Sequence, residues 1–227
     1  MLGKITKLMV GLAMFILPAS ISAQSYIPDV LELDGTETLE FPADDRVQLA
    51  DGATIEFWVA PDWKEDPGYD PVILSNRGNS GYSYMIAMLR DRNGIGIISG
   101  GEVDLAPFDF TDGKLHHVAI IDYSDSIMVF VDNIAVADLD MSLRSLPSTG
   151  FWIGSSDGEN APFIGAVAGL RLWDTAVDPD IIAEYAMMDV LDNEQPTHPD
   201  IDWLIGVSDF RNKDFRLTDF APAGDAP

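Results

Sequence analysis

The sequence contains no cysteine. Disulfides, thiolate metal sites and cysteine nucleophiles are therefore excluded, and stability has to come from packing or a bound ion. Basic residues are scarce, with 13 Lys and Arg against 38 Asp and Glu and a formal net charge of −25. Such a surface repels DNA, RNA and anionic membranes, which sets nucleic-acid partners aside. No segment after the first 23 residues is apolar enough to span a bilayer, so stable membrane insertion is not expected. Phosphate loops and nucleophile elbows are missing as well, and Gly94-Ile95-Gly96 has no helix behind it and reads as a turn and strand.

What is present begins with three zones. Lys4 and Lys7 give a positive start, Leu8 to Leu17 form an apolar run, and Pro18 leads into the small-residue stretch Ala19-Ser20-Ile21-Ser22-Ala23. This is the layout of a secretory signal peptide, with cleavage expected after Ala23. The apolar run is too short for a spanning helix, which needs about 20 residues. Removing residues 1–23 takes away two lysines and no acid, so the exported chain is more acidic still. Export without cysteine points to a bacterial source, with the protein secreted, periplasmic or at the cell surface.

From Val30 to Trp173 short alternating runs are punctuated by Gly, Pro, Asn and Asp. Ile55, Phe57 and Val59 share one face of Ala53–Val59, and Pro61 ends it. Pro71–Ser75 is a short strand closed by Asn76-Arg77-Gly78-Asn79, and Tyr82–Leu89 alternates again. Lys114–Asp122, Ile127–Val131 and Ile134–Ala137 follow around tight turns at Tyr123–Ser126 and Asp132-Asn133. No helical stretch lies between these strands, so the expected fold class is all-β, a two-sheet antiparallel jelly-roll sandwich. One short C-terminal helix is expected, with Asp178 as N-cap, Pro179 in the first turn and an apolar stripe of Ile181, Ile182, Tyr185 and Ala186. Asp192–Pro199 reads as a linker holding His198, with two further short strands at Asp202–Phe210 and Phe215–Leu217 and a frayed end. The expected division is a signal peptide at 1–23, the sandwich at 27–188, and a linker and extension at 189–227, partly docked on the sandwich.

Several segments carry a family resemblance. Leu31–Gly35 with Thr38–Pro42, Thr54–Val59, Gly113–Ala119, Val129–Asn133, and Phe151–Gly154 through Leu170–Asp174 resemble, in order, the strands of a laminin-G-like (concanavalin A-like) jelly roll. Leu115 stands where the family usually has tryptophan. The closing strands and Asp178–Ile182 are also similar to the pentraxin version. The resemblance implies a binding module for carbohydrate or protein, with Ca²⁺ held in rim loops. The segments that match pentraxin ligand loops nominate Asn79, Asp157, Glu159 and Asn160 as metal ligands, although Ala168 takes a place where the family commonly has Asp.

Ca²⁺ takes six to eight oxygens, which loop carboxylates and amides can supply. For carbohydrate, the aromatic residues in or beside loops are Trp63, Tyr69 and Tyr82, whereas Trp58, Trp152 and Trp173 fall within strands and read as packing residues. Trp203 is placed to help dock the tail. Adjacent in a strand, His116 and His117 point to opposite faces and cannot share a metal. Glu32, Asp34 and Glu37 have the acid spacing of a retaining glycosidase, but Gly35-Thr36 is expected to turn Glu37 away. Catalysis is therefore not expected. The competing reading is an adhesive or structural component that associates with itself through sandwich and tail.

Overall fold

A computed structural model describes residues 29–49, 51–192 and 197–218. The signal segment, its cleavage point after Ala23 and the last seven residues lie outside the described residues.

Among the described residues fourteen strands form two antiparallel sheets. They are β1 (Val30–Asp34), β2 (Leu39–Phe41), β3 (Ala53–Pro61), β4 (Val72–Gly78), β5 (Gly81–Met88), β6 (Gly94–Ser99), β7 (Glu102–Pro107), β8 (His116–Asp122), β9 (Ile127–Val131), β10 (Ile134–Leu139), β11 (Ser148–Ile153), β12 (Ile164–Trp173), β13 (Leu204–Asp209) and β14 (Asp214–Leu217). The eight-stranded sheet runs β10-β9-β8-β3-β12-β13-β14, with β1 also on β12, and the six-stranded sheet runs β2-β11-β4-β5-β6-β7. Ile55, Phe57 and Val59 of β3 and Val118 and Ile120 of β8 meet Tyr84, Ile86, Ile97 and Phe151 of the opposite sheet in one core. The alternation legible in the sequence is thus the packing of two inner faces. Asp132 and Asn133 both have positive φ, 49° and 64°, as the tight β9–β10 hairpin requires.

A bulge in β12 organises the larger sheet. The register with β3 shifts between Ala168 and Arg171, at Gly169, whose φ of 55° suits glycine. Before the bulge Val167 faces the core. After it Leu170 and Leu172 do, so the inward parity changes from odd to even and Arg171 is turned to the outer face. The edge partner also changes here: Ile164–Ala168 pair with β1, and Arg171–Trp173 pair with β13. The amide of Leu170 donates to the Ser208 hydroxyl at 3.0 Å.

On that outer face Glu56, opposite Arg171 in the ladder, is fully buried. Its Oε1 accepts from Arg171 (3.2 Å) and from the Trp173 indole (2.9 Å), and its Oε2 lies 3.1 Å from His117 Nε2. Arg171 also donates to the carbonyls of Tyr185 (3.2 Å) and Met188 (2.6 Å). Burial alone would push the Glu56 carboxyl up, but Arg171 outweighs it with help from His117 and Trp173, holding Glu56 well below the usual carboxylate range.

The lid over this cluster is helix α1 (Pro179–Tyr185) and the chain beyond it. Asp178 caps α1 by accepting from the Asp180 amide, and Ile182, Val177, Val190 and Leu204 pack on Trp173, Ala119 and Ile121. His198, expected in an unpartnered linker, is instead buried, stacked on Trp173 at 4.3 Å and edge-on to Tyr185 at 4.7 Å. Burial lowers its pKa, and its Nδ1 accepts the Asp200 amide as a neutral imidazole does. Trp203 docks by its backbone, its carbonyl accepting from the Asp174 amide, while the residue as a whole is 42% exposed.

One further expectation is corrected. The turn placed at Asn76–Asn79 begins later, because β4 runs on to Gly78. Asn76 is buried, donating to the Val47 carbonyl and accepting from Ser148, so a polar residue sits inside the sheet with its bonds made.

Replacing Arg171 by Met leaves the buried Glu56 carboxylate without its cation and is expected to cost about 3–5 kcal/mol. Adding Glu56→Gln is expected to restore part of that loss. Denaturant unfolding of the two variants checks both outcomes, and a single Arg171→Met change under about 1 kcal/mol contradicts the account.

Candidate ligand-binding site

The outer face of the six-stranded sheet is built differently. Ladder pairing aligns Trp152, Ser75, Met85, Ile98 and Val103 in one row across β11, β4, β5, β6 and β7. A second row joins Val72, Ala87, Gly96 and Leu105. These side chains alternate with the core positions of the same strands, so they point away from the core. Val103 is 64% and Leu105 50% exposed. Together with Tyr82, Leu89, Asp70, Ser156 and Ala161 they line a depression of about 330 Å³.

One end of this face is roofed by the β11–β12 loop. The Ser75 hydroxyl donates to the carbonyls of Ser155 and Ser156, fixing the loop over the sheet. Within the loop Asp157 Oδ1 accepts from the amides of Glu159 (3.3 Å) and Asn160 (2.9 Å). Oδ2 accepts from the Asn160 side chain (2.9 Å) and from Arg77 (3.0 Å). Burial raises the Asp157 pKa, but the Asn160 and Glu159 bonds and Arg77 outweigh it and leave it below the ordinary value. Beneath Gly158 lies the indole of Trp152, whose N–H is buried without a partner among the described residues.

These contacts decide how the candidate metal ligands fit. Asn79 lies on the β4–β5 turn, and Glu159 and Asn160 are exposed. Asp157 is already neutralised by Arg77 and bonded through both oxygens. Among the described residues no three His, Asp or Glu come together in a metal-holding group. Asn79, Asp157, Glu159 and Asn160 do not fit a Ca²⁺ cage in this arrangement, because a guanidinium stands where the cation's charge would act.

Of the three candidate aromatics, Trp63 is corrected. It is buried, donates its indole N–H to the Arg90 carbonyl (2.8 Å) and packs edge-on to Phe163 at 5.9 Å. A ring enclosed by core cannot stack on a ligand. Tyr69 is half-buried beside the face, its hydroxyl donating to Pro162. Tyr82 lines the depression, with the Arg77 guanidinium 6.0 Å from its ring centre.

The two histidines part as expected for neighbours in a strand. His117 joins Glu56, and His116 bridges Asp132 (2.7 Å) and Asp112 (2.9 Å). As expected, the chain bends at Gly35-Thr36, where Gly35 has φ of 85° and β1 has ended at Asp34, although Glu32, Asp34 and Glu37 all border one open cleft of about 490 Å³ with Asp62. Glu37 nonetheless pairs with Lys213 at 2.6 Å. Asp34 accepts from the Thr36 hydroxyl and amide, which lower its pKa. A glycosidase acid needs a carboxyl held protonated near neutral pH, the opposite of what these bonds do to Asp34.

A sequence profile described as the concanavalin A-like lectin/glucanases superfamily, of laminin G type, matches residues 33–183. The chain belongs to this superfamily. No curated protein matches it in sequence. Solved structures share the fold at low identity. Domain 4 of AbnA, an extracellular GH43 arabinanase from Geobacillus stearothermophilus solved with arabinotriose, superposes at TM-score 0.54 and 13% identity, covering 68% of this chain and 75% of that one. A heptameric SAP-like pentraxin from Limulus polyphemus gives 0.53 and 15%, over 84% and 91% of the two chains. A Bacteroides ovatus protein described as carbohydrate-binding gives 0.53 and 15%, over 78% and 52%.

Sequence reasoning about this lectin/glucanase sandwich missed Met85, Ile98, Val103 and Leu105. A signal was present: Ile97-Ile98 places isoleucine on both faces of β6, which a wetted outer face does not call for. Glu56 was missed because a lone acid in an alternating strand looks solvent-facing.

His116 supplies a pH test. Burial alone would lower its pKa, but Asp132 and Asp112 raise it above the ordinary value of about 6.5. A raised histidine stabilises the fold fully below the unfolded pKa and loses that contribution as pH rises through the folded value. His116→Gln is expected to cost more stability at acid than at alkaline pH, measured by denaturant midpoints. An equal cost across the range contradicts the pairing of His116 with Asp132 and Asp112.

Proposed function

We propose that this lectin/glucanase-type domain is an extracellular, non-catalytic carbohydrate-binding module that holds a glycan on the outer face of its six-stranded sheet without Ca²⁺. The observation that carries the reading is the depression formed by Tyr82 with Val103 and Leu105, an aromatic ring beside apolar side chains left exposed on a folded sandwich. On the opposite sheet, the outer face around Trp173, Ala119 and Ile121 is covered by α1 and the segment after it. The names of the AbnA domain and the B. ovatus protein, which refer to arabinotriose and carbohydrate, favour this ligand class over others. The three zones at the N-terminus support export, and no helix among the described residues is long and apolar enough to cross a membrane.

Assembly by strand addition is disfavoured at two sheet ends by the same local device. The Asp104 carboxylate accepts the Leu105 amide (2.8 Å) on β7, and the Asp214 carboxylate accepts the Phe215 amide (2.9 Å) on β14. Pro107 removes another donor from β7. Edges with capped or missing donors are poor templates for a second chain.

Affinity electrophoresis in gels containing neutral or acidic polysaccharides tests the reading. Retardation by a neutral polysaccharide is expected, lost in Leu105→Asp and Tyr82→Ala and unchanged by EDTA or Glu32→Gln. No reducing sugar is expected to be released. Retardation that survives Leu105→Asp overturns the site, and loss with EDTA overturns the Ca²⁺-independent mode.

A further inference from the structure

The depression is unusually poor in hydrogen-bonding groups for a sugar site, and this restricts its ligand. We infer that it selects an uncharged sugar bearing a methyl group, N-acetylated or 6-deoxy, over a fully hydroxylated or acidic one. The inference rests on the glycan-binding reading above and names the ligand class for the same face.

The polar lining is nearly spent on the protein itself. Asp70 Oδ1 accepts the Arg90 amide at 2.9 Å, and the Ser156 hydroxyl donates to the Asn160 carbonyl at 3.1 Å. The second oxygen of Asp70 and the Tyr82 hydroxyl remain to meet a ligand. A fully hydroxylated pyranose brings more hydroxyls than two groups can satisfy, and each one desolvated without a partner weakens binding. A 6-deoxy methyl asks for none, and an acetyl methyl brings one amide N–H and one carbonyl, which the second Asp70 oxygen and the Tyr82 hydroxyl can meet. Either methyl gains by leaving water against Met85, Ile98, Val103 and Leu105, which surround the glycine gap at Gly96. At about 330 Å³ the depression lies at the small end of ligand sites, which suits one sugar residue seated end-on rather than a long chain laid across the sheet.

Charge narrows the choice further. Asp70 lies at the rim, Arg77 is committed to Asp157, and the whole chain carries −25. A uronate or sulfated sugar would face that field with no free cation supplied by the lining residues.

Titration calorimetry of the mature chain with four probes tests the inference: chitotriose, a rhamnose trisaccharide, cellotriose and trigalacturonate. At least one methyl-bearing probe is expected to bind about tenfold or more tighter than cellotriose, the scale on which apolar pockets discriminate single carbon groups. Which of the two prevails separates the acetyl from the deoxy source. Trigalacturonate is expected not to bind. Leu105→Ser, at an exposed position, is expected to bring the methyl preference close to one without lowering the melting temperature. Cellotriose or trigalacturonate binding as tightly as both methyl-bearing probes overturns the inference. If that binding is still lost in Leu105→Asp, the carbohydrate-binding site itself stands. Binding of none of the four overturns both.

Discussion

The carboxylate of Glu56 sits without solvent contact on what would otherwise be an outer sheet face, and the arrangement of the molecule follows from keeping it satisfied. A buried charge is tolerable only when paired and hydrogen-bonded. Arg171, Trp173 and His117 supply those bonds, and Arg171 is available only because the Gly169 bulge turns it to Glu56's side of β12. The same bulge hands the β12 edge from β1 to β13, so the C-terminal segment is woven into the sheet. The carbonyls of Tyr185 and Met188 complete the arginine, which ties the end of α1 to the ion pair. Removing the lid would expose Trp173 and Ile121 and also leave Arg171 short of acceptors.

With part of one face committed in this way, the opposite sheet leaves Val103 and Leu105 side by side and exposed on its outer face. Its strands are apolar on both sides: inward Ile86 and Ile97 fill the core, and outward Met85 and Ile98 lie on the free face. A protein with this exposure invites association, and the aspartate caps on Leu105 and Phe215 limit one route to it. The β11–β12 loop, held by bonds among Asp157, Asn160, Arg77 and Ser75, walls one end of the depression.

Much of the fold was legible because periodicity is a local property. The alternation in Ala53–Val59, the Asp132-Asn133 turn and the Asp178-Pro179 helix start each specify their own structure, and each appears where expected. The site was less legible because it depends on which strands become neighbours. Val103 and Met85 meet only through the β5-β6-β7 pairing, and Asp157 is neutralised by an arginine 80 residues away. Trp63 was misplaced for a similar reason: a loop position does not reveal that Phe163 and the Arg90 carbonyl close around it. His198 looked solvent-borne beside prolines, and its partner Trp173 belongs to a distant strand.

The central claim is that ligand meets the outer face of the six-stranded sheet. Amide chemical-shift mapping during titration with a bound oligosaccharide tests it most directly. The account predicts that the largest shifts fall on Tyr82–Leu89, Gly96–Ile98 and Val103–Leu105, with Thr54, Ala119 and Ile121 beneath the lid unmoved. Shifts concentrated instead on α1 or around Glu32 and Asp62 would contradict it.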